Sequence, residues 1–213
     1  SSAITNALFP HYVAANDAIP EGMPGGTDIE IKGNTEKAKE LLAEAGYADG
    51  FELDIWVSDG STSVRVGGVL QALLGRVGIE VNLIKNDWSV FYNTVKNGNA
   101  PAYYLSWWAD YADPYNFLNA LYTTDRIPFN NEEINSILEE MVVTTDSDQR
   151  IELSKEIIEI AEDVGDPYIY LYHTSTSYVK KPWIKGDLYH QMYSADKLLT
   201  WWIDQDLKAE YQD

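Results

Sequence analysis

Cysteine does not occur among the 213 residues, which excludes disulfides, thiolate metal sites and cysteine nucleophiles in one step. Histidine is almost as scarce. His11, His173 and His190 stand far apart with no H-x-x-x-H or similar ligand spacing, so neither a zinc site nor a catalytic histidine cluster is expected, and His173 reads as a strand-end residue. No stretch approaches the roughly 18 consecutive apolar residues of a membrane-spanning helix, and the N-terminus lacks a basic segment followed by an apolar one. The chain is therefore expected to be cytosolic or to be separated from its targeting segment. Positive charge is also short: 15 basic against 34 acidic side chains leave a formal net charge of −19, which repels phosphate backbones and anionic lipid surfaces and excludes nucleic acid as a partner. The one basic cluster, Lys180, Lys181 and Lys185 around Pro182 and Trp183, is too short for a phosphate-tracking stripe and reads as a solvated loop. Glycine-rich phosphate cradles and the G-x-S-x-G nucleophile elbow are missing. The pair Gly67-Gly68 falls inside a predicted helix and reads as close packing of that helix on a sheet.

What is present is an ordinary globular composition, 45% hydrophobic and 23% charged, in a chain long enough for one large domain or two small ones. The aromatic content is skewed, with 7 Trp and 15 Tyr against 5 Phe. Rings with a polar tip suit ligand grooves and interfaces as well as cores.

Residues 8–33 carry scattered proline and glycine with little periodicity and read as an extended, ordered loop. Asn34 can cap a helix whose apolar positions Ala38, Leu41, Leu42 and Ala45 recur at helical spacing, with Gly46 as the stop. Period-two alternation over 51–57 predicts a strand, and strand, helix and strand signals continue over 62–77 (helix), 79–84 (strand), 88–96 (helix) and 102–107 (strand). That order implies a parallel sheet with right-handed crossovers. Asp113-Pro114 begins a further helix, as cap and first helical residue. Helices are predicted over 131–143 and 148–164, the second opening at Asp148, and this hairpin is expected to cover a sheet face. Residues 167–172 alternate as a strand, and the tail from Gly186 has no clear period until 197–203.

The densest stretch is Ser106-Trp-Trp-Ala-Asp-Tyr-Ala-Asp-Pro-Tyr-Asn-Phe-Leu118, at the carboxyl end of a predicted parallel strand, where α/β sheets place ligands. Sequence physics leaves several readings open. Trp107, Phe117 and Leu118 can be core, Asp113 a cap and Asp110 a solvated loop acid. Asp110 and Asp113 can be the paired carboxylates of a carbohydrate-active hydrolase beside an aromatic platform. The stretch can also belong to an interaction module.

These residues resemble the solute-binding proteins of dipeptide, oligopeptide and nickel ABC importers, specifically their second large lobe and the return segment after it. The likeness runs from Leu8 to Trp202 through Ile19-Pro20 and Gly22-Met23-Pro24, the helix from Glu36 to Tyr47, Asp49-Gly-Phe-Glu-Leu53, Val77-Gly-Ile-Glu-Val81 with Trp88, and Trp107-x-Ala-Asp-Tyr-x-Asp-Pro114. It continues through Asp148-x-Arg150, Asp166-Pro167 and residues 179–186. Ser106 stands where the family commonly has Gly, and Thr35 where Pro often follows the cap.

The resemblance implies an α/β fold, a mixed sheet with packed helices that forms one lobe of a two-lobed Venus-flytrap periplasmic-binding-protein fold. It implies a ligand-binding lobe over 1–185 and a return segment over 186–213. The first lobe, with its signal peptide or lipid anchor, is expected to precede this region, and half a binding site is expected here. The implied function is solute capture outside the cytoplasm, in the periplasm or as a cell-surface lipoprotein, with short peptides handed to an ABC-importer permease by a monomer that is not an enzyme and needs no cofactor. By position, Asp110 matches the carboxylate that holds a peptide's α-ammonium, Trp107 and Trp88 match aromatic walls of the cavity, and Tyr111 stands beside them. Asp113, Pro114 and Arg150 match structural positions.

Overall fold

From the N-terminus the chain forms α1 (Ser2–Leu8), β1 (Val13–Ala14) and α2 (Thr35–Glu44), then alternates through β2 (Phe51–Ser58), α3 (Ser61–Gly75), β3 (Ile79–Asn86), α4 (Trp88–Lys96) and β4 (Ala102–Tyr103). The computed structural model describes residues 2–8, 11–27, 29, 32–123, 126–175, 179–186 and 200–211. Strands β3, β2 and β4 lie side by side in that order, all parallel, with Phe51 opposite Ile79 and Ile55 opposite Ala102. The crossover from β2 to β3 and the one from β3 to β4 run in opposite directions across the sheet, so right-handed connections put α3 and α4 on opposite faces. The strand alternation agrees: Ile55 and Val57 pack with Leu70 and Leu74 of α3, whereas Trp56 turns to Phe91 and Val95 of α4. A Cβ placed on Gly67 would stand 2.5 Å from Leu83 Cδ1, so this glycine brings α3 close to the sheet as expected, while its neighbour Gly68 faces open space.

The third strand is shorter than its sequence predicts. Alternation continues to Trp107, but β4 pairs only through Ala102 and Tyr103, with one further bond from Tyr104 N to Trp56 O at 3.0 Å. Its partner β2 ends at Ser58 and turns into α3, so the ladder could reach residue 105 at most and residues 106–109 have no strand to join.

Asp113 caps α5 (Pro114–Tyr122), its carboxylate accepting from Tyr115 N, and Pro114 takes the first helical position as the sequence predicts. Helices α6 (Glu132–Val143) and α7 (Ser147–Val164) follow, and the cap of α7 is Asp146 rather than Asp148. The hairpin does not cover the parallel sheet. Ile134, Leu138 and Met141 of α6 and Leu153, Ile157 and Ile158 of α7 close instead on Phe117, Leu118 and Tyr122 of α5 and on Ala18 and Ile19 of the N-terminal loop, a second core in which no residue of β2, β3 or β4 takes part. That loop is ordered by Asp17, whose buried carboxylate accepts from Ile19 N, Thr27 N and Thr27 Oγ1 at 2.7–2.9 Å.

The alternation over 167–172 also resolves differently. Tyr168 and Tyr170 turn inward and Ile169 outward, yet strand pairing here is confined to β5 (Tyr172–His173), antiparallel to β1, with one further backbone bond from Ala15 N to Leu171 O at 3.4 Å. Strand β6 (Ile184–Lys185) pairs antiparallel with β7 (Trp202–Ile203), and α8 (Gln205–Glu210) follows. Parallel and antiparallel pairings thus coexist, in separate sheets. The expected division after residue 185 falls between these two paired strands, and most of 186–199, with His190, lies outside the described residues.

Candidate functional site

In open parallel sheets the ligand crevice lies beyond the carboxyl ends of the strands, where successive connections diverge to opposite faces. Here that point lies between β2 and β4, with residues 58–61 leaving β2 toward α3 and residues 104–110 leaving β4 toward α5. The second connection carries Trp107, Asp110 and Tyr111.

Three residues into α5 stands Asn116, only 7% exposed, on a helix whose other buried positions are Pro114, Phe117, Leu118 and Tyr122. Its Oδ1 accepts from Trp107 Nε1 at 3.0 Å and from the Asp110 backbone N–H at 3.1 Å, and its Nδ2 donates to Asp110 Oδ2 at 3.4 Å. The Asp110 carboxylate itself is exposed. Trp107 is 39% exposed and is not core, and Arg126 lies over its ring, 5.9 Å from the centroid. Sequence reasoning passes over Asn116 and Arg126. The available signal for Asn116 is a polar side chain on the apolar face of a helix, where it needs a partner.

Trp88 and Tyr111 do not join this cluster. Trp88 opens α4 after β3, across β2 from β4, and its half-exposed ring stacks on Tyr92 at 5.4 Å and tilts against Phe91 at 5.8 Å. Tyr111 is exposed, and its carbonyl accepts from Asp113 N. Asp113 is occupied. Its Oδ1 takes Tyr115 N at 2.8 Å and Arg150 Nη2 at 2.6 Å, and its Oδ2 takes Arg150 Nε at 2.9 Å. The same guanidinium donates to the carbonyls of Met141 and Thr144 at the end of α6, so the pair fastens the start of α5 to the α6–α7 corner. Hydrogen bonding to Asp113 is also what most raises the Arg150 pKa above its ordinary value. With both oxygens engaged, Asp113 is poorly placed to serve as one of two paired acids on a substrate.

Many tyrosines prove structural. Asp166, whose pKa burial raises above the ordinary carboxylate value, accepts from Tyr168 N at 2.9 Å and from the hydroxyls of Tyr122 and Tyr170 at 3.0 Å. Tyr104, just beyond β4, shares a 2.5 Å hydroxyl contact with Tyr172 of β5. His173 is partly buried, which lowers its pKa. Among the described residues no group of three or more His, Asp or Glu side chains could hold a metal ion, and no helix is long and apolar enough to cross a membrane.

Comparison with known proteins gives the same outline. The family described as "Bacterial extracellular solute-binding proteins, family 5 Middle" matches residues 1–129. Heme-binding protein A of Haemophilus influenzae is 31% identical over 162 residues, 71% of this chain and 29% of that protein. The dipeptide-binding protein of Escherichia coli is 26% identical over 200 residues, 86% of this chain and 37% of that protein. The structure of HbpA2 from Haemophilus parasuis superposes with a TM-score of 0.76 at 27% identity, covering 81% of this chain and 37% of that one. The chain thus spans about a third of the length of such relatives.

Proposed function

This chain belongs to the bacterial extracellular solute-binding proteins of family 5, and on that premise we propose that it forms one wall of a solute cleft whose cargo is a short peptide bound for an ABC-importer permease. The observation that carries this reading is the placement of Asp110. An acid free to meet a ligand stands at the switch point of a parallel sheet, tied to an aromatic ring through a buried amide. Relatives named for dipeptides and oligopeptides support the cargo class. A free α-ammonium would meet the Asp110 carboxylate while Trp107 lines its flank, and a second lobe would close over both and remove the water that weakens a charge pair. Trp88 and Tyr111, not in the Asp110 cluster, would serve as outlying walls along the same carboxyl edge.

The protein works outside the cytoplasm, in the periplasm or as a cell-surface lipoprotein, as a monomer that binds without turnover. On this reading residues 1–185 would belong to the binding lobe, with 186–213 as the return segment, of which 187–199 and 212–213 lie outside the described residues. The hydrolase reading loses its second acid to Arg150.

Binding of a peptide and of its N-acetylated twin to the full-length protein tests the reading. Removing one partner of a desolvated charge pair typically costs about 2–5 kcal/mol, or roughly 30-fold to several thousand-fold in affinity. Acetylation weakens binding to wild type by that order and weakens binding to Asp110→Asn little. Equal acetylation penalties in both proteins refute the anchor.

A further inference from the structure

We infer that Asn116 is a positioning residue that holds Trp107 and Asp110 together as one recognition unit, so that the aromatic wall and the ammonium anchor are set by a single amide. This rests on the reading of Asp110 as the anchor and assigns the residue that aims it.

The argument begins with what the 104–110 connection lacks. Beyond Tyr104 it belongs to no strand or helix, and the Asp110 N–H donates to the Asn116 side chain instead of to a ladder or turn. A segment ordered so sparsely does not hold a carboxylate in one direction unless something outside it does. Asn116 does so from a rigid base, because α5 is capped by Asp113 and clamped by Arg150, and the Asn116 N–H itself bonds Asp113 O at 3.1 Å. Both lone pairs of its Oδ1 are spent on the connection, one on the indole N–H and one on the Asp110 backbone, while Nδ2 approaches the Asp110 carboxylate from behind. Each alternative side chain lacks a part of this. Alanine leaves two N–H groups without an acceptor, and aspartate keeps the acceptor but replaces the donor that faces Asp110 with a second anion. A buried amide on an otherwise apolar helix face, with its partners confined to Trp107 and Asp110, fits a role in aiming these two groups better than a role in holding the core.

The test has two arms in the full-length protein. The first measures hydrogen exchange at the Trp107 indole N–H, assigned by loss of its resonance in Trp107→Phe. Slow exchange is expected in wild type although the ring is 39% exposed. It should persist in Asn116→Asp, which keeps the acceptor, and vanish in Asn116→Ala. Fast exchange in wild type overturns the inference without reference to any variant's folding.

The second arm measures the affinity ratio between a peptide and its N-acetylated twin in wild type, Asn116→Ala, Asp110→Asn and the double variant. Loss of a charge-linked positioning contact should shrink the ratio in Asn116→Ala by roughly 10-fold, with no further change once Asp110→Asn is present. If Asp110→Asn removes the discrimination and Asn116→Ala leaves it intact, the anchor stands and the positioning role falls. If Asp110→Asn itself leaves the ratio unchanged, the anchor reading fails and takes this inference with it.

Discussion

Replacing Asp113 with alanine is expected to lower stability by about 3 kcal/mol, and the structure divides that figure into two parts. The carboxylate caps α5 through Tyr115 N at 2.8 Å, and losing such a cap costs about 1 kcal/mol. It also receives the Arg150 fork at 2.6 and 2.9 Å, with side chains 19% and 26% exposed. Fully buried pairs cost about 3–5 kcal/mol to break and exposed ones about 0–1, so this half-sheltered pair falls near 2. A domain of this size loses about 2–4 °C of Tm per kcal/mol, so Asp113→Ala should melt roughly 6–12 °C below wild type at neutral pH, followed by circular dichroism and checked by urea unfolding. Asp113→Asn retains a capping oxygen and should lose less. In a cycle with Arg150→Met, the two substitutions should couple by about 1.5–2 kcal/mol, because the second finds its partner already gone. A shift under 2 °C, or additive single effects, refutes the view that this pair clamps α5.

Two glycines that adjoin in sequence should respond with opposite sign. Gly67→Ala drives a methyl to 2.5 Å from Leu83 Cδ1 and should destabilise by about 1–2 kcal/mol, whereas exposed, helical Gly68→Ala should stabilise by about 0.5–1 kcal/mol. Urea midpoints decide this, and a stabilised Gly67→Ala contradicts the close α3 packing. Asp166 supplies a pH test. Its carboxyl holds its proton more tightly folded than unfolded, chiefly because it is buried. Its contribution is therefore full below the ordinary carboxylate value of about 4 and is lost as pH rises through the raised folded value. Asp166→Asn carries no such charge, so its stability relative to wild type should improve between about pH 4 and pH 7. A relative stability that worsens over that interval contradicts desolvation as the dominant effect.

Local periodicity was sufficient for the elements whose partners lie nearby in the chain. β2, α3, β3 and α4 follow from period-two and helical spacing because each buries its apolar face against the next, as Val57 does with Leu70 and Leu74. Asp113-Pro114 foretells α5 for a similar reason, since a cap acts within three residues. That Trp107 and Asp110 lie on the connection leaving the carboxyl edge of the sheet was legible too, from an acid and a tryptophan after the last strand of a βαβ order.

Tertiary structure alone decided matters that depend on distant partners. How far β4 can run is limited by the end of β2 at Ser58, and the alternation over 167–172 gives a strand only where Val13 and Ala14 pair with His173 and Tyr172. The α6–α7 hairpin could have covered the sheet or made its own core, since an apolar stripe does not name what it buries, and α5 with Ile19 filled that place. Asp110 and Asp113 look like equal members of an acidic pair in sequence. Arg150, 37 residues further on, takes Asp113 for structure, and Asn116 joins Asp110 to Trp107, because a hydrogen bond between side chains depends on where the fold brings their atoms and not on the order of letters.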